Sequence, residues 1–410
     1  MANKKQQISY GKQSIDENDV QAVCSVLRSD WLTQGPKSRE FEEALAEYCG
    51  AKYCIAVCNG TAALHLSCLA LGVDPGDVGL TSPITFMASA NCIVYCGAIP
   101  VFADIDPETL CLSTGEVEAY CRKHSPPKVV IPVDFAGVPA ELPKLKELSD
   151  KYGFKVIEDA AHAIGSTYTY QNKEYMCGSC AHTDLAIFSF HPVKTITSGE
   201  GGAVLTNDAD LAHRVRCLAN HGIERNPSRF VSGNTASNLK PQTSSHLPTA
   251  NSWYHEMQHL GYNYRITDIQ SALGLSQLKR LSAFKERRKQ IVRCYNEGFQ
   301  ALTEKGMLEL PPWPTNTDPC FHLYVLRVLN IEDDLRYKVF TDLQKQGIYP
   351  QVHYIPVHLQ PYYQKHFEYR SGEFPYAESY YKKVLSLPLY PTLQDDQINY
   401  VIDSVRKTLS

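Results

Sequence analysis

SFHPVKTITSGEGGAVLTND, residues 189–208, decides how this chain is read. It overlaps the end of an apolar run from Leu185 to Phe190, which predicts a buried strand, and it sets Lys194 just before the glycine-rich turn Gly199-Glu200-Gly201-Gly202. Upstream, KVIEDAAHAIGS (155–166) carries a second strand that ends in a carboxylate, Asp159. A lysine and an acid at two strand ends form the pair that pyridoxal phosphate requires. The amine can bond the cofactor's aldehyde carbon, and the acid can keep its ring nitrogen protonated. A single lysine after a strand is more often a solvated cation, so the rest of the chain has to support the pairing.

Composition narrows the classes. The 410 residues suffice for two or three domains, or for one large α/β domain with an appendage. Hydrophobic content of 43% and charged content of 20% suit a globular enzyme, and a net charge of −4 offers no basic field for nucleic acid. No apolar run approaches the ~18–20 residues of a membrane span. The polar start, MANKKQQISYGKQ, lacks the apolar core of a secretory signal. The expectation is a cytoplasmic protein with neither nucleic-acid nor membrane partner. Fourteen cysteines lie scattered through apolar patterns and read as buried, reduced thiols. Cys177 and Cys180 form a lone CxxC with no second pair to complete a zinc site, and His353 and His358 lack a suitably spaced third ligand. No metal is expected.

Helical and strand patterns alternate through the first 220 residues or so. They predict helices over 20–27, 41–48, 61–71, 86–95 and 142–152, and strands over 53–57, 99–103, 129–133, 155–157 and 185–190. Strands separated by helices imply a mostly parallel sheet covered on both faces. Residues 226–252, rich in Ser, Thr, Asn and Pro, read as a long surface loop. A long helix is predicted from the cap at Thr267-Asp268. Beyond the proline-rich segment LPPWPTNTDP (310–319), a strand is expected over 322–328 and helices near 333–346, 376–384 and 395–408. The chain is divided into a large domain, 1–280, and a small C-terminal domain, 281–410.

Open α/β sheets place ligands in loops at the carboxyl ends of strands. In AVCNGTAALHLSCLALG (56–72) a strand turns at Asn59-Gly60 into a helix opening at Thr61. Free N–H groups and the positive end of the helix dipole make that turn a seat for phosphate, with Gly60 allowing close approach and Thr61 adding a hydroxyl. Ser189 can supply a second hydroxyl. His162 can lie over the cofactor ring or its phenolic oxygen, and Phe86, in TSPITFMAS, offers a flat face for stacking.

In this order the residues resemble the DegT/StrS family of pyridoxal-phosphate sugar aminotransferases over nearly the whole chain. The matching blocks include SDWLTQGPKSREFEEALAEYCGAKY (29–53), NGTAALHL (59–66), PVFADIDPETL (100–110), IEDAAHAIGS (157–166), SFHPVKTITSGEGGAV (189–204), LGYNYRITDIQSALGLSQL (260–278) and QVHYIPVHLQPYY (351–363). The resemblance implies fold-type I, with a large α/β domain built on a seven-stranded, mainly parallel sheet and a smaller C-terminal α/β domain. It implies catalytic roles for Lys194, Asp159 and His162, with L-glutamate as amino donor and a nucleotide sugar as acceptor. It also implies a homodimer with shared active sites, in which Asn263 reaches the cofactor phosphate of the other subunit. The substrate would touch Tyr10, Asp30, Trp31, Leu32, Thr33, Gly60, Ser189, Asn263, Gln351, Val352, His353 and Tyr354.

Within the family, ISYGKQSID (8–16), SFHPVK, WYHEMQHLGYNYR (253–265) and QVHY (351–354) are most similar to the branch that aminates UDP-linked 4-keto-6-deoxy-N-acetylhexosamines on the way to pseudaminic acid. His162 favours this branch, since many 3-keto and perosamine-type relatives carry Gln or Glu there. Three alternatives stand beside it. A 3-dehydratase on the same scaffold would carry histidine in place of Lys194. A non-catalytic sensor of the cofactor or the sugar nucleotide would be expected to bring a helix-turn-helix or basic module, and none is present. A viosamine- or perosamine-forming enzyme acting on a dTDP-, UDP- or GDP-linked 4-keto sugar would differ by only a few pocket side chains.

Overall fold

A computed structural model of the chain describes residues 7–231, 253–329 and 335–409. Most of the predicted surface loop, 232–252, lies outside the described residues, and so does the start of the helix expected near 333.

Seven strands form the central sheet: β1 (Tyr53–Val57), β2 (Val78–Thr81), β3 (Ile99–Phe102), β4 (Val129–Ile131), β5 (Lys155–Asp159), β6 (Leu185–Ser189) and β7 (Gly202–Thr206). Their order across the sheet is β1-β7-β6-β5-β4-β2-β3. Only β7 runs antiparallel to its neighbours, and the remaining pairs are parallel. Two of the seven strands were not read from the pattern. VGLT is too short to show an alternation, and GAVLT begins inside the glycine-rich turn that masks it.

The strands are apolar on both faces because both faces are covered. Ala56, Val156, Phe188 and Leu205 point into a core shared with Phe41 and Leu45 of the Pro36–Cys49 helix. Their neighbours Ile55, Ile157, Ile187 and Val204 point the other way, toward Leu64 and Leu66 of the Gly60–Ala70 helix and Val215 of the Ala209–Ala219 helix. The two-residue period of a strand thus builds two cores from one sheet.

The helix predicted from Thr267 is two helices, Asp268–Leu278 and Leu281–Glu304, with the break at Lys279-Arg280. Thr267 and Gln270 form a capping box at the first of them. In the second, Leu281 and Phe284 join the core of the central sheet, whereas Ile291, Tyr295 and Phe299 join a separate core with Tyr324, Leu326, Leu385 and Val401. That second core surrounds a three-stranded sheet of Leu308–Glu309, Tyr324–Val328 and Val384–Leu387. Ile8 is also part of it, through a parallel pairing with Ile348. Among the described residues no helix is long and apolar enough to cross a membrane.

Candidate active site

β1, β5 and β6 point the same way, so Val57, Asp159 and Ser189 all end at one edge of the sheet. β7 starts from that edge at Gly202, which pairs with both Val57 and Ser189. A Cβ on Gly202 would lie 2.5 Å from the Asn59 carbonyl carbon, and a Cβ on Gly60 would lie 2.9 Å from Ser189 Cβ. Two positions without a side chain therefore let the Asn59-Gly60 turn settle onto the ends of β6 and β7. Asn59 caps the helix through Oδ1 and the Ala62 N–H, and the Ala63 N–H reaches the Asn59 carbonyl. Gly60 and Thr61 supply the remaining first-turn N–H groups, which lie outside the intrahelical ladder.

The loop carrying Lys194 is tied back to its strand. Ser198 N–H and Thr197 Oγ1 both donate to the Phe190 carbonyl, and Lys194 N–H donates to His191 O at 2.9 Å. Lys194 borders a cavity of about 500 Å³, together with Asp159, Ser189, Gly60, Thr61 and Phe86. Tyr10, His162, His353 and Tyr354 complete the predicted residues that this cavity brings together. Burial pulls the Lys194 ammonium down to a pKa of about 8, against the attraction of Asp159. On the order of one amine in ten is then neutral at pH 7, against about one in three thousand for an ordinary lysine.

Asp159 is buried, and burial raises its pKa. Three groups oppose that rise: the Ser89 hydroxyl, which donates to Oδ2 at 2.6 Å, the Ala161 N–H, which donates to Oδ1 at 3.1 Å, and the Lys194 charge. Each carboxylate oxygen keeps a lone pair for a further donor.

His162 is held neutral by burial, with the positive charge of Lys194 acting in the same direction. Its Nδ1 accepts the Ala136 N–H at 3.3 Å, so the ring proton sits on Nε2, 3.2 Å from Tyr354 Oη. His353 is lowered to about 3 by burial, and its Nδ1 lies 2.8 Å from Ser386 Oγ.

Other predicted residues lie outside this cavity in the single chain. Asp30, Trp31, Leu32 and Thr33 are exposed, held by pairing of Thr33 with Thr267 and by an Asp268 N–H bond to the Leu32 carbonyl. Asn263 is exposed in a bridge with Asn220. Gln351 spends its backbone on pairing with Ser386, and Val352 packs between the two cores. The cavity also includes residues that the motifs did not single out: Thr85, Ser89, His191, Glu200 and His322. Ser89 lay within reach, three residues after Phe86 in TSPITFMAS. His322 carried no local signal, because its ring meets that of His162, 4.4 Å away, only through the fold.

The residues fit pyridoxal phosphate. They provide a phosphate-sized turn that a Cβ at Gly60 would disrupt, a buried carboxylate with lone pairs to spare, and a lysine of lowered pKa. Together with the seven-stranded sheet, they define a cofactor-dependent enzyme of fold-type I. Residues 13–406 match the DegT/DnrJ/EryC1/StrS aminotransferase family, and the chain belongs to it. It is a pyridoxal-phosphate-dependent sugar aminotransferase, taking an amino donor and a sugar acceptor. The spore coat polysaccharide biosynthesis protein SpsC of Bacillus subtilis is 39% identical over 401 residues, covering 97% of this chain and 96% of SpsC. Helicobacter pylori PseC, an aminotransferase of pseudaminic acid biosynthesis, is 30% identical with a TM-score of 0.83, over 98% of this chain and 99% of PseC. Spr1654 of Streptococcus pneumoniae, solved in PLP- and PMP-forms, is 27% identical with a TM-score of 0.84, over 98% of this chain and 98–99% of its own.

Proposed function

We propose that the chain transfers the amino group of L-glutamate to C4 of a UDP-linked 4-keto-6-deoxy-N-acetylhexosamine, giving UDP-4-amino-4,6-dideoxy-N-acetyl-β-L-altrosamine. The observation that carries this reading is the neutral His162 imidazole, fixed between the Ala136 N–H and Tyr354 Oη at the cavity wall. The likeness to PseC along both whole chains supports it.

Gly60, Thr61 and Ser189 would hold the cofactor phosphate, Phe86 would stack on the ring, and Asp159 would face the ring nitrogen. When bound, the cofactor supplies an electron-withdrawing ring that stabilises negative charge on the carbon losing its proton. Lys194 Nζ, able to hold or release a proton near neutral pH, moves that proton at the reacting carbon. Asp159 keeps its negative charge at the strand end, and His162 donates through Nε2–H without adding charge. Tyr10, His353 and Tyr354 line the side where the sugar would sit.

The working unit is a homodimer. Asn263 and the exposed stretch Asp30–Thr33 would reach the partner's cavity, which accounts for their distance from their own.

A second reading is amination of a different 4-keto sugar, of the viosamine or perosamine type; the chain is more similar to SpsC, a spore coat polysaccharide biosynthesis protein, at 39% identity than to PseC at 30%. A panel of UDP-, GDP- and dTDP-linked 4-keto sugars, assayed with glutamate for release of 2-oxoglutarate, separates the two. Preference for the UDP-N-acetylhexosamine supports the first, and preference for a dTDP or GDP sugar replaces it with the second.

A further inference from the structure

Away from the cavity, the Ala209–Ala219 helix and the short strand Ile223–Glu224 bring together three side chains that no sequence motif connects. His213 and Cys217 are four residues apart and share one helix face. Glu224 meets them after the chain turns. One nitrogen, one sulfur and one oxygen atom of the three lie within 4.8 Å of each other. His213 Nε2 is 2.6 Å from Glu224 Oε2 and 3.4 Å from Cys217 Sγ. Glu224 is only 3% exposed. Its Oε1 accepts the N–H groups of Arg225 and Asn226 at 2.7 and 2.6 Å, which leaves Oε2 to face the His213 ring nitrogen. Glu224 stands at a cavity of about 290 Å³, also bordered by Arg229, Gln258 and His259.

We propose that His213 Nε2, Cys217 Sγ and Glu224 Oε2 bind one zinc ion, with water from the cavity in the fourth position. A mixed set of nitrogen, sulfur and oxygen suits zinc. Magnesium and calcium call for oxygen alone, and copper(I) for softer donors. With bonds of about 2.0–2.1 Å to nitrogen and 2.3 Å to sulfur, the 3.4 Å separation of Nε2 and Sγ is close to that of a tetrahedral site. The 2.6 Å Nε2–Oε2 contact has to open by about three-quarters of an ångström, and the His213 side chain is 29% exposed on its outer side.

A thiolate and a carboxylate neutralise the ion's two charges. Of the cations nearby, Arg229 is paired with Asp210 and Arg216 with Glu42, and Arg214 also borders the cavity. Burial, helped by Glu224, keeps the Cys217 thiol protonated without metal. On binding, the S–H bond breaks, the S–Zn bond forms and one proton passes to solvent, so affinity rises with pH.

The site also has a place in the fold. Glu224 pairs with Glu256 on the strand leading toward Asn263, and Tyr262 and Tyr264 N–H groups donate to carbonyls of Leu218 and Ala219. The ion fastens the Ile223–Glu224 strand, with which Glu256–Met257 pairs, to the Ala209–Ala219 helix.

The test uses chelator-stripped holoenzyme re-equilibrated with zinc chloride. The expected result is one zinc per chain, affinity rising about tenfold per pH unit below the thiol pKa, and zinc-edge X-ray absorption showing one sulfur neighbour. Cys217→Ala and His213→Ala should each weaken binding by roughly a hundredfold or more. Failure of the wild-type protein to retain zinc, or a spectrum without sulfur, overturns the proposal without any variant. Equal affinity in folded Cys217→Ala, or in Cys217→Ser if alanine does not fold, overturns it as well.

Discussion

Ser89 Oγ donates to Asp159 Oδ2 at 2.6 Å, while Thr85 Oγ1 lies 2.7 Å from the same hydroxyl. The short relay stabilises charge on a buried carboxylate whose pKa desolvation raises and the Ser89 hydroxyl lowers. A hydrogen bond to a charged group contributes about 1.5–3 kcal/mol, so Ser89→Ala should lower kcat by roughly ten- to a hundredfold. Ser89→Thr, which keeps a hydroxyl, should recover much of that loss. Steady-state rates of the two variants check this, and an alanine variant with unchanged kcat would remove Ser89 from the machinery.

Lys194 gives a pH dependence with a definite sign. Its pKa of about 8 results from burial, while Asp159 pulls it back up. Capture of pyridoxal phosphate by the cofactor-free protein needs the neutral amine. The rate should therefore climb about tenfold per pH unit up to about pH 8 and then level off. Removing the negative charge with Asp159→Asn should move that midpoint down, because the opposing attraction is gone. A midpoint that moves up, or no midpoint below pH 10, would contradict the electrostatic picture.

The same lysine is expected to be irreplaceable. Lys194→Arg keeps a cation but cannot bond the cofactor's aldehyde, and Lys194→Ala lacks the amine altogether. Both should lose turnover and the yellow absorption of lysine-bound cofactor. Normal transamination by either one would transfer the role elsewhere.

The parts of this site that were legible in the sequence are those set by local chemistry. Lys194 and Asp159 announced themselves because apolar strands precede both, and Gly60 because a glycine joins a strand to a helix. Ser89 and His322 were not legible: neither has a local pattern, and each meets its partner across 70 and 160 residues of chain (Ser89 to Asp159, His162 to His322). Strand boundaries followed the same rule. The five-residue runs of β1 and β6 could be read, whereas VGLT was too short and GAVLT was hidden by the glycines that open it. The break at Lys279-Arg280 escaped because the apolar spacing continues across it, and Leu278 before it joins the same core as Leu281 and Phe284 after it.

Gly60 and Ser189 provide a paired steric test. A Cβ at position 60 would lie 2.9 Å from Ser189 Cβ and 3.3 Å from its Oγ. Since the first of these is not the far end of a flexible side chain, the backbone has to move, and overpacking of this kind costs about 1–3 kcal/mol. Gly60→Ala should therefore release cofactor roughly five- to a hundredfold more readily. If the clash is the cause, adding Ser189→Gly to Gly60→Ala should restore part of the affinity beyond what Ser189→Gly alone predicts. Additive losses in cofactor dissociation constants would remove the Ser189 clash as the cause.

Asn263 tests the proposed shared site. It is exposed and lies outside the cavity of its own chain, so its effect on cofactor binding should come from the partner subunit. Lys194→Ala and Asn263→Ala should each be inactive as pure dimers. In a mixed dimer, one site inherits both lesions, and the other combines an intact lysine with an intact asparagine. Random re-association of equal amounts should then return about a quarter of wild-type activity, because half the dimers are mixed and each has one good site of two. The measurement needs mixed dimers isolated with two different affinity tags. If such dimers form and remain inactive, Asn263 acts within its own subunit or not at all.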